Sequence, residues 1–215
     1  MIGSFADSGT EDIFNGADTR AARRTRPKSL WPSARRKLDQ LNRVRDLLNL
    51  AVPPGNRLER LRGGIESANT VFESMSSIAC AFTGRMDMRN KLKSRTTTER
   101  RPQRGESLQF SVVRRLPSKR PPTHPGEMLL EEFLKPLGMS QSAFAVRLGI
   151  SFPRLNEIIR GKRGITSDTA LRLAHVLGMS ADFWLGLQQD WDLWHALRSK
   201  NAAAIARLEP LRNVG

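Results

Sequence analysis

Ser151, Phe152, Arg154, Asn156 and Glu157 crowd into the stretch SFPRLNE, a set of side chains suited to reading the edges of base pairs. Asn pairs bidentately with adenine, Arg forks onto guanine and Phe gives an apolar contact to the thymine methyl. Each good pair discriminates by about 1–3 kcal/mol. Gln141 precedes this stretch, and Arg160, Lys162 and Arg163 follow it in RGKRG. These four suit phosphate contacts, which fix register and supply affinity rather than specificity. The sequence offers no comparable set for catalysis or metal binding. His124, His175 and His195 lack ligand spacing, and the single cysteine, Cys80, rules out an internal disulfide framework or a cysteine-based zinc site. No metal and no cofactor is expected, and the cysteine usage suits a reducing cytoplasm.

The elements that must position these residues are legible from apolar spacing and cap signals. Met128, Leu129, Phe133 and Leu134 form the stripe of a first helix ended by Pro136 and Gly138. Ser140 caps a second, Gln141 to Leu148, with Phe144, Ala145 and Leu148 inward. Ser151 caps a third, Phe152 to Arg160, with Leu155, Ile158 and Ile159 inward. Thr166 opens a fourth through Leu177, and Ser180 opens a fifth carrying Phe183, Trp184 and Leu187. The turn Gly149-Ile150-Ser151 between the second and third is the short, glycine-containing corner of a helix-turn-helix. A third helix about 13 Å long fits a major groove about 12 Å wide. The same five-helix corner would also serve a protein-binding module, with RGKRG only a solvated loop; periodicity and charge leave that alternative open.

Charge divides the chain. Residues 1–120 carry 25 Lys and Arg against 12 Asp and Glu, whereas residues 121–215 carry 11 against 9. The net +15 therefore splits as +13 and +2, and most of the attraction for anionic partners lies outside the patterned region. Before that region, one amphipathic helix is expected at Ser33 to Leu50, ended by Pro53, Pro54 and Gly55. The opening MIGSFADSGTEDIFNG shows no clear period, and the Ser-, Thr-, Arg- and Lys-rich stretch after Gly64 reads as disordered. No apolar run approaches the roughly 20 residues of a membrane span. A cytoplasmic protein with no membrane partner is expected.

HPGE, RLNEIIRGKRGIT, TALRLA and FWLGLQ, in that order and spacing, resemble the HigA-type antitoxins of the XRE helix-turn-helix superfamily. The resemblance implies an antitoxin of a plasmid-maintenance toxin-antitoxin module. Such a protein is a homodimer that represses its own operon at an operator palindrome and neutralises a RelE-like ribonuclease toxin. Dimeric readers span half-sites about 34 Å apart. Trp184, Leu187, Trp191 and Trp194, spaced as one helical face, are the expected dimer interface, with ordinary core packing as the alternative.

Residues 1–63 resemble something else. MIGSFADSGTEDIFNG, RKLDQLN and LAVPPGNRLERLRG are similar to the start of HigB-type, RelE-like toxins. Such toxins continue into a sheet, but after Gly63 the family's strand pattern is missing and the chain contains no tyrosine. Reading Met75 to Lys91 one nucleotide earlier, with permissible codons, can give NEQYRMCFHWTDGHEK and a stop; Met86-Asp87-Met88 forces Gly followed by His or Tyr in that frame. A frameshift near codon 63 and readthrough into the antitoxin gene is the reading, decided by the DNA sequence. Arg57, Arg60 and Arg62 remain from the toxin-like part, but no general acid or base stands beside them. The chain is accordingly expected not to be an enzyme, and mRNA cleavage by the purified protein would overturn that.

The expected architecture is all-α: a compact five-helix, lambda-repressor-like helix-turn-helix domain at 120–198 with a long, largely disordered amino-terminal extension. Before the domain stand a truncated toxin-like segment at 1–63 and a disordered basic linker at 64–119, and a tail at 199–215 follows. The two alternatives are a toxin-binding module without specific DNA binding and a residual RNA-acting toxin fragment.

Overall fold

The computed structural model describes residues 2, 5–44, 47–60, 70–74, 78–82 and 115–209. Residues 75–77 and 83–91, which carry most of the alternate-frame reading, and Arg62 lie outside them.

Five helices follow residue 120 as the sequence predicts. Helix α4 (Pro125–Leu129) runs into a π-helical turn (Leu130–Leu134), then come α5 (Gln141–Leu148), α6 (Phe152–Ile159), α7 (Ser167–Leu177) and α8 (Ala181–Ala196). Ser140 accepts from the Ala143 amide and Ser180 from the Phe183 amide, both at 3.2 Å, satisfying donors that a helix start leaves open. Met128, Phe133, Phe144, Leu155, Ile158, Leu173 and Trp184 fill the interior between these helices. This unit is all-α. A short α9 (Ala202–Ile205) follows it.

The amino-terminal part departs from the expected disorder. Helices α1 (Ser8–Asn15), α2 (Arg20–Thr25) and α3 (Trp31–Arg43) precede a 3-10 turn at Leu47–Ala51. The single helix expected at Ser33 to Leu50 thus begins earlier, stops at Val44 and resumes as a tighter turn. In α1 the cap signals outweigh the weak period. The Asp7 carboxylate accepts from the Thr10 amide at 2.7 Å, and Gly16 closes the helix at φ 82°. Ile13 and Phe14 are buried on α1, Ala22 on α2, and Trp31, Leu38 and Leu41 on α3, in the same apolar cluster as the helix-turn-helix interior. Each of these segments is too short to hold a core alone; α1 packs on α2 and α3, and α3 packs on α8 of the carboxyl-terminal unit.

A three-stranded antiparallel sheet runs in the order β1 (Asn56–Arg60), β2 (Thr70–Ser74), β3 (Ile78–Phe82). Leu58 stands opposite Phe72, and Phe72 opposite Cys80. TVFES and IACAF hold β-branched and aromatic residues of high strand propensity, a local signal that the polar composition around them hides. Arg57 and Arg60 lie on β1.

His124 caps α4, its Nδ1 accepting from the Gly126 amide at 3.0 Å, while its ring meets Trp191 edge-on at 4.9 Å. Burial pushes its pKa below the ordinary value; Asp192 raises it and His195 lowers it, both less strongly. A base whose folded pKa is depressed stabilises the fold fully above its unfolded pKa of about 6.5 and loses that contribution as pH falls below it. Between about pH 7.5 and about pH 5.5 the wild-type melting temperature should therefore fall further than that of His124→Asn, which keeps a capping side chain without a titrating ring. Equal falls in the two proteins would dismiss the His124 contribution.

Candidate nucleic-acid interface

The corner between α5 and α6 is set by backbone chemistry. Gly149 adopts φ 67°, a left-handed conformation that side chains other than Gly resist, and its amide closes α5. Arg172, from α7, donates to the carbonyls of Leu148 and Gly149 at 3.2 and 3.3 Å, tying a third helix to the turn. Sequence spacing gave no sign of this brace. On α6, Leu155 and Ile158 are fully buried, so the opposite side, with Phe152 and Asn156 one turn apart, faces outward.

Several of the expected readers come together there. Ser151 is exposed at the start of α6 and makes no side-chain cap bond, leaving its hydroxyl available; Phe152 is 47% exposed. Asn156 donates from Nδ2 to Gln141 Oε1 at 3.0 Å. That bond fixes the orientation of both amides and joins the first residue of α5 to the middle of α6. A side-chain amide held in this way presents its remaining donor and acceptor in one orientation, as a bidentate contact to a base requires.

The charged residues are placed less simply. Arg154 is folded onto the start of α7, with Nη2 2.9 Å from Thr169 Oγ1 and 3.4 Å from Asp168. In this state it braces α6 against α7, and a guanine contact requires it to let go. Glu157 pairs with Arg163 at 2.7 Å and its carbonyl accepts from the Lys162 amide at 2.8 Å, so the basic loop curls back over the end of α6. Arg160, Lys162 and Arg163 are exposed on that curl.

Of the four residues expected at a dimer face, two are buried within the chain itself, as the core-packing alternative has it. Trp184 is fully buried, tilted against Phe133 and edge-on to Phe183 with both ring centroids at 5.3 Å, and Leu187 is buried beside it. These two side chains point into the core, on the helix against which both α3 and α4 pack. Trp191 and Trp194 are half-buried: Trp191 meets His124, and Trp194 donates Nε1 to the Pro117 carbonyl at 2.8 Å. Among the described residues no group of His, Cys, Asp and Glu is arranged to hold a metal ion, and no helix is long and apolar enough to cross a membrane.

The helix-turn-helix family (HTH_3) matches residues 130–184, which run from the π-helical turn to Trp184. Virulence-associated protein I of Dichelobacter nodosus is 49% identical over 85 residues, covering 40% of this chain and 79% of that protein. Antitoxin HigA-1 of Vibrio cholerae is 39% identical over 77 residues, covering 36% and 72%. Among solved structures, the Pseudomonas aeruginosa antitoxin HigA with the higBA promoter is 40% identical, covering 43% of this chain and all of that one, with a TM-score of 0.40.

Proposed function

The chain belongs to the helix-turn-helix family of virulence-associated protein I and the HigA-type antitoxins, and we propose that it is a sequence-specific DNA-binding antitoxin of a toxin-antitoxin module. In this reading it represses its own operon as a homodimer at an operator palindrome and neutralises a RelE-like toxin. The observation that carries the DNA-binding part is the bonded Gln141–Asn156 pair, set outward beside exposed Ser151 and Phe152 and rimmed by Arg160, Lys162 and Arg163. Inserted in the major groove, α6 would present Ser151, Phe152 and Asn156 to base edges. Arg154 would join them after releasing Thr169, and Glu157 would lie at the margin, held by Arg163. Gln141 and the basic curl would lie on phosphates. For the second subunit, Trp191 and Trp194 remain the candidates that the burial of Trp184 and Leu187 leaves. Residues 1–63 are read as toxin-derived, and sequencing the gene around codon 63 tests the frameshift.

A fluorescence-anisotropy titration against the DNA upstream of the gene, with an unrelated duplex beside it, tests the reading. Binding should weaken steeply between about 50 and about 200 mM salt, and Lys162→Ala should lower the salt slope by about one without changing sequence preference. Asn156→Ala should weaken operator binding by about 1–3 kcal/mol, roughly tenfold to a hundredfold, and leave the unrelated duplex unaffected. A wild-type protein that binds both duplexes alike would sink the specific reading.

A further inference from the structure

The described ion pairs fall into two populations. Those within the helix-turn-helix unit lie at the surface: Lys135–Glu131, Arg154–Asp168, Arg163–Glu157 and Arg172–Asp168, with side-chain exposures of 25% to 59%. Of the pairs that join α3 to that unit, the closest are buried, while Arg36 also reaches the more exposed Glu127 and Glu131 at 3.5 and 3.9 Å. Arg36 Nε lies 2.7 Å from Glu132 on the π-helical turn, and Lys37 meets the same carboxylate. Asp39 takes a bidentate contact from Arg120 at 2.7 and 2.9 Å and is also held by Thr123. Arg43 Nε lies 2.8 Å from Asp190, with exposures of 2% and 8%.

The Arg43 site is shaped for its occupant. A Cβ on Gly186 would meet the guanidinium carbon at 2.5 Å and Nε at 2.7 Å, so the guanidinium lies flat on α8 at the one helical position without a side chain to block it. Asp190 stands one turn further along α8, and Gln189 accepts from Arg43 Nη2 at 3.3 Å. Glycine floor, carboxylate and amide together make a receptor for arginine, and Glu132 makes a second basic-group receptor two turns back along α3. Arg43 Nε is close to Asp190 as an ion pair without a well-aligned hydrogen bond, and buried paired charge of this kind favours specific recognition, because it rejects any partner that leaves one member unpaired. About 85 residues of this chain account for 79% of the length of one relative, and 77 residues for 72% of another. The family match at residues 130–184 includes Glu132 and ends just before Gly186, and α3 lies outside it.

We propose that Glu132, Gly186 and Asp190 form a docking face for a basic amphipathic helix of a partner protein, one with Arg at two positions seven residues apart and an acid between them. In this chain residues 31–43 fill that face in cis and close it to the partner. That the partner is a toxin rests on the antitoxin reading above; the receptor itself does not.

The test uses the full chain and a labelled peptide of residues 28–45. Wild type should bind the peptide at least tenfold more weakly than Arg36→Glu/Arg43→Glu, in which the cis helix is repelled and the face is open. Adding Glu132→Lys and Asp190→Lys re-pairs the cis helix with reversed charges and should return peptide binding to the wild-type level. Equal binding by wild type and the opened chain would overturn the proposal, as would equal binding of a peptide with both arginines changed to glutamate. If the double variant does not fold, Arg43→Gln carries the same comparison under the same criterion. Operator binding, measured in parallel, separates the two readings: its loss in wild type counts against DNA recognition and leaves the docking result standing.

Discussion

Trp184→Ala is expected to destabilise the protein by about 3–5 kcal/mol, the range for removing a large aromatic from a core. The indole is fully buried, between Phe133 of the π-helical turn and Phe183 of its own helix. Its removal leaves a cavity at the centre of α8, the helix that packs against α3, α4 and α7, and rigid neighbours on several sides limit collapse. Chemical denaturation followed by far-UV circular dichroism would measure this as a lower midpoint. The complementary expectation concerns association. If Trp184 were a dimer residue, the variant would keep its monomer stability and lose only the dimer, in a concentration-dependent way. A variant with unchanged midpoint and altered sedimentation would restore Trp184 to an interface.

The burial of Trp184 and Leu187 shows what apolar spacing can and cannot tell. Trp184, Leu187, Trp191 and Trp194 share a helical face in sequence, but periodicity reports only that a face is covered, not whether a core or a second chain covers it. The helix-turn-helix unit was legible because each helix has its own signals: Ser140, Thr166 and Ser180 as caps, Gly149 and Gly178 in left-handed closing positions, apolar residues at the right intervals. The amino-terminal helices were not, because their order depends on residues far along the chain. Lys37, Asp39 and Arg43 read as the polar face of a solvated helix, yet all three are buried by partners about 80 to 150 positions away. The Asp7 and Gly16 caps of α1 were visible, and attention to them rather than to period would have found that helix. At the candidate site the candidate residues were named from residue type alone. The Gln141–Asn156 bond and the seat of Arg154 on Thr169 were not legible there, since each joins residues from different helices.

Gly126→Ala should damage DNA recognition from a position that touches no DNA. A Cβ there would stand 1.9 Å from the Ile158 carbonyl oxygen, 2.6 Å from its carbon and 2.9 Å from Ile159 Cα. All three are backbone atoms of the last turn of α6, so no side chain can swing aside and the helix itself must move. Overpacking that displaces backbone costs about 1–3 kcal/mol or more. Here the strain falls on the helix that holds Asn156 against Gln141, and a shift of about 1 Å in a bidentate site is enough to spoil it. The expected result is a melting temperature several degrees lower, together with at least a tenfold loss of operator binding. Non-specific binding should survive, because Arg160, Lys162 and Arg163 need only proximity to phosphates. Gly55→Ala, whose Cβ would find only Pro136 at 3.9 Å, is the control and should leave both properties near wild type. If Gly126→Ala bound the operator as wild type does, α6 would not be the element whose placement by α4 sets sequence recognition.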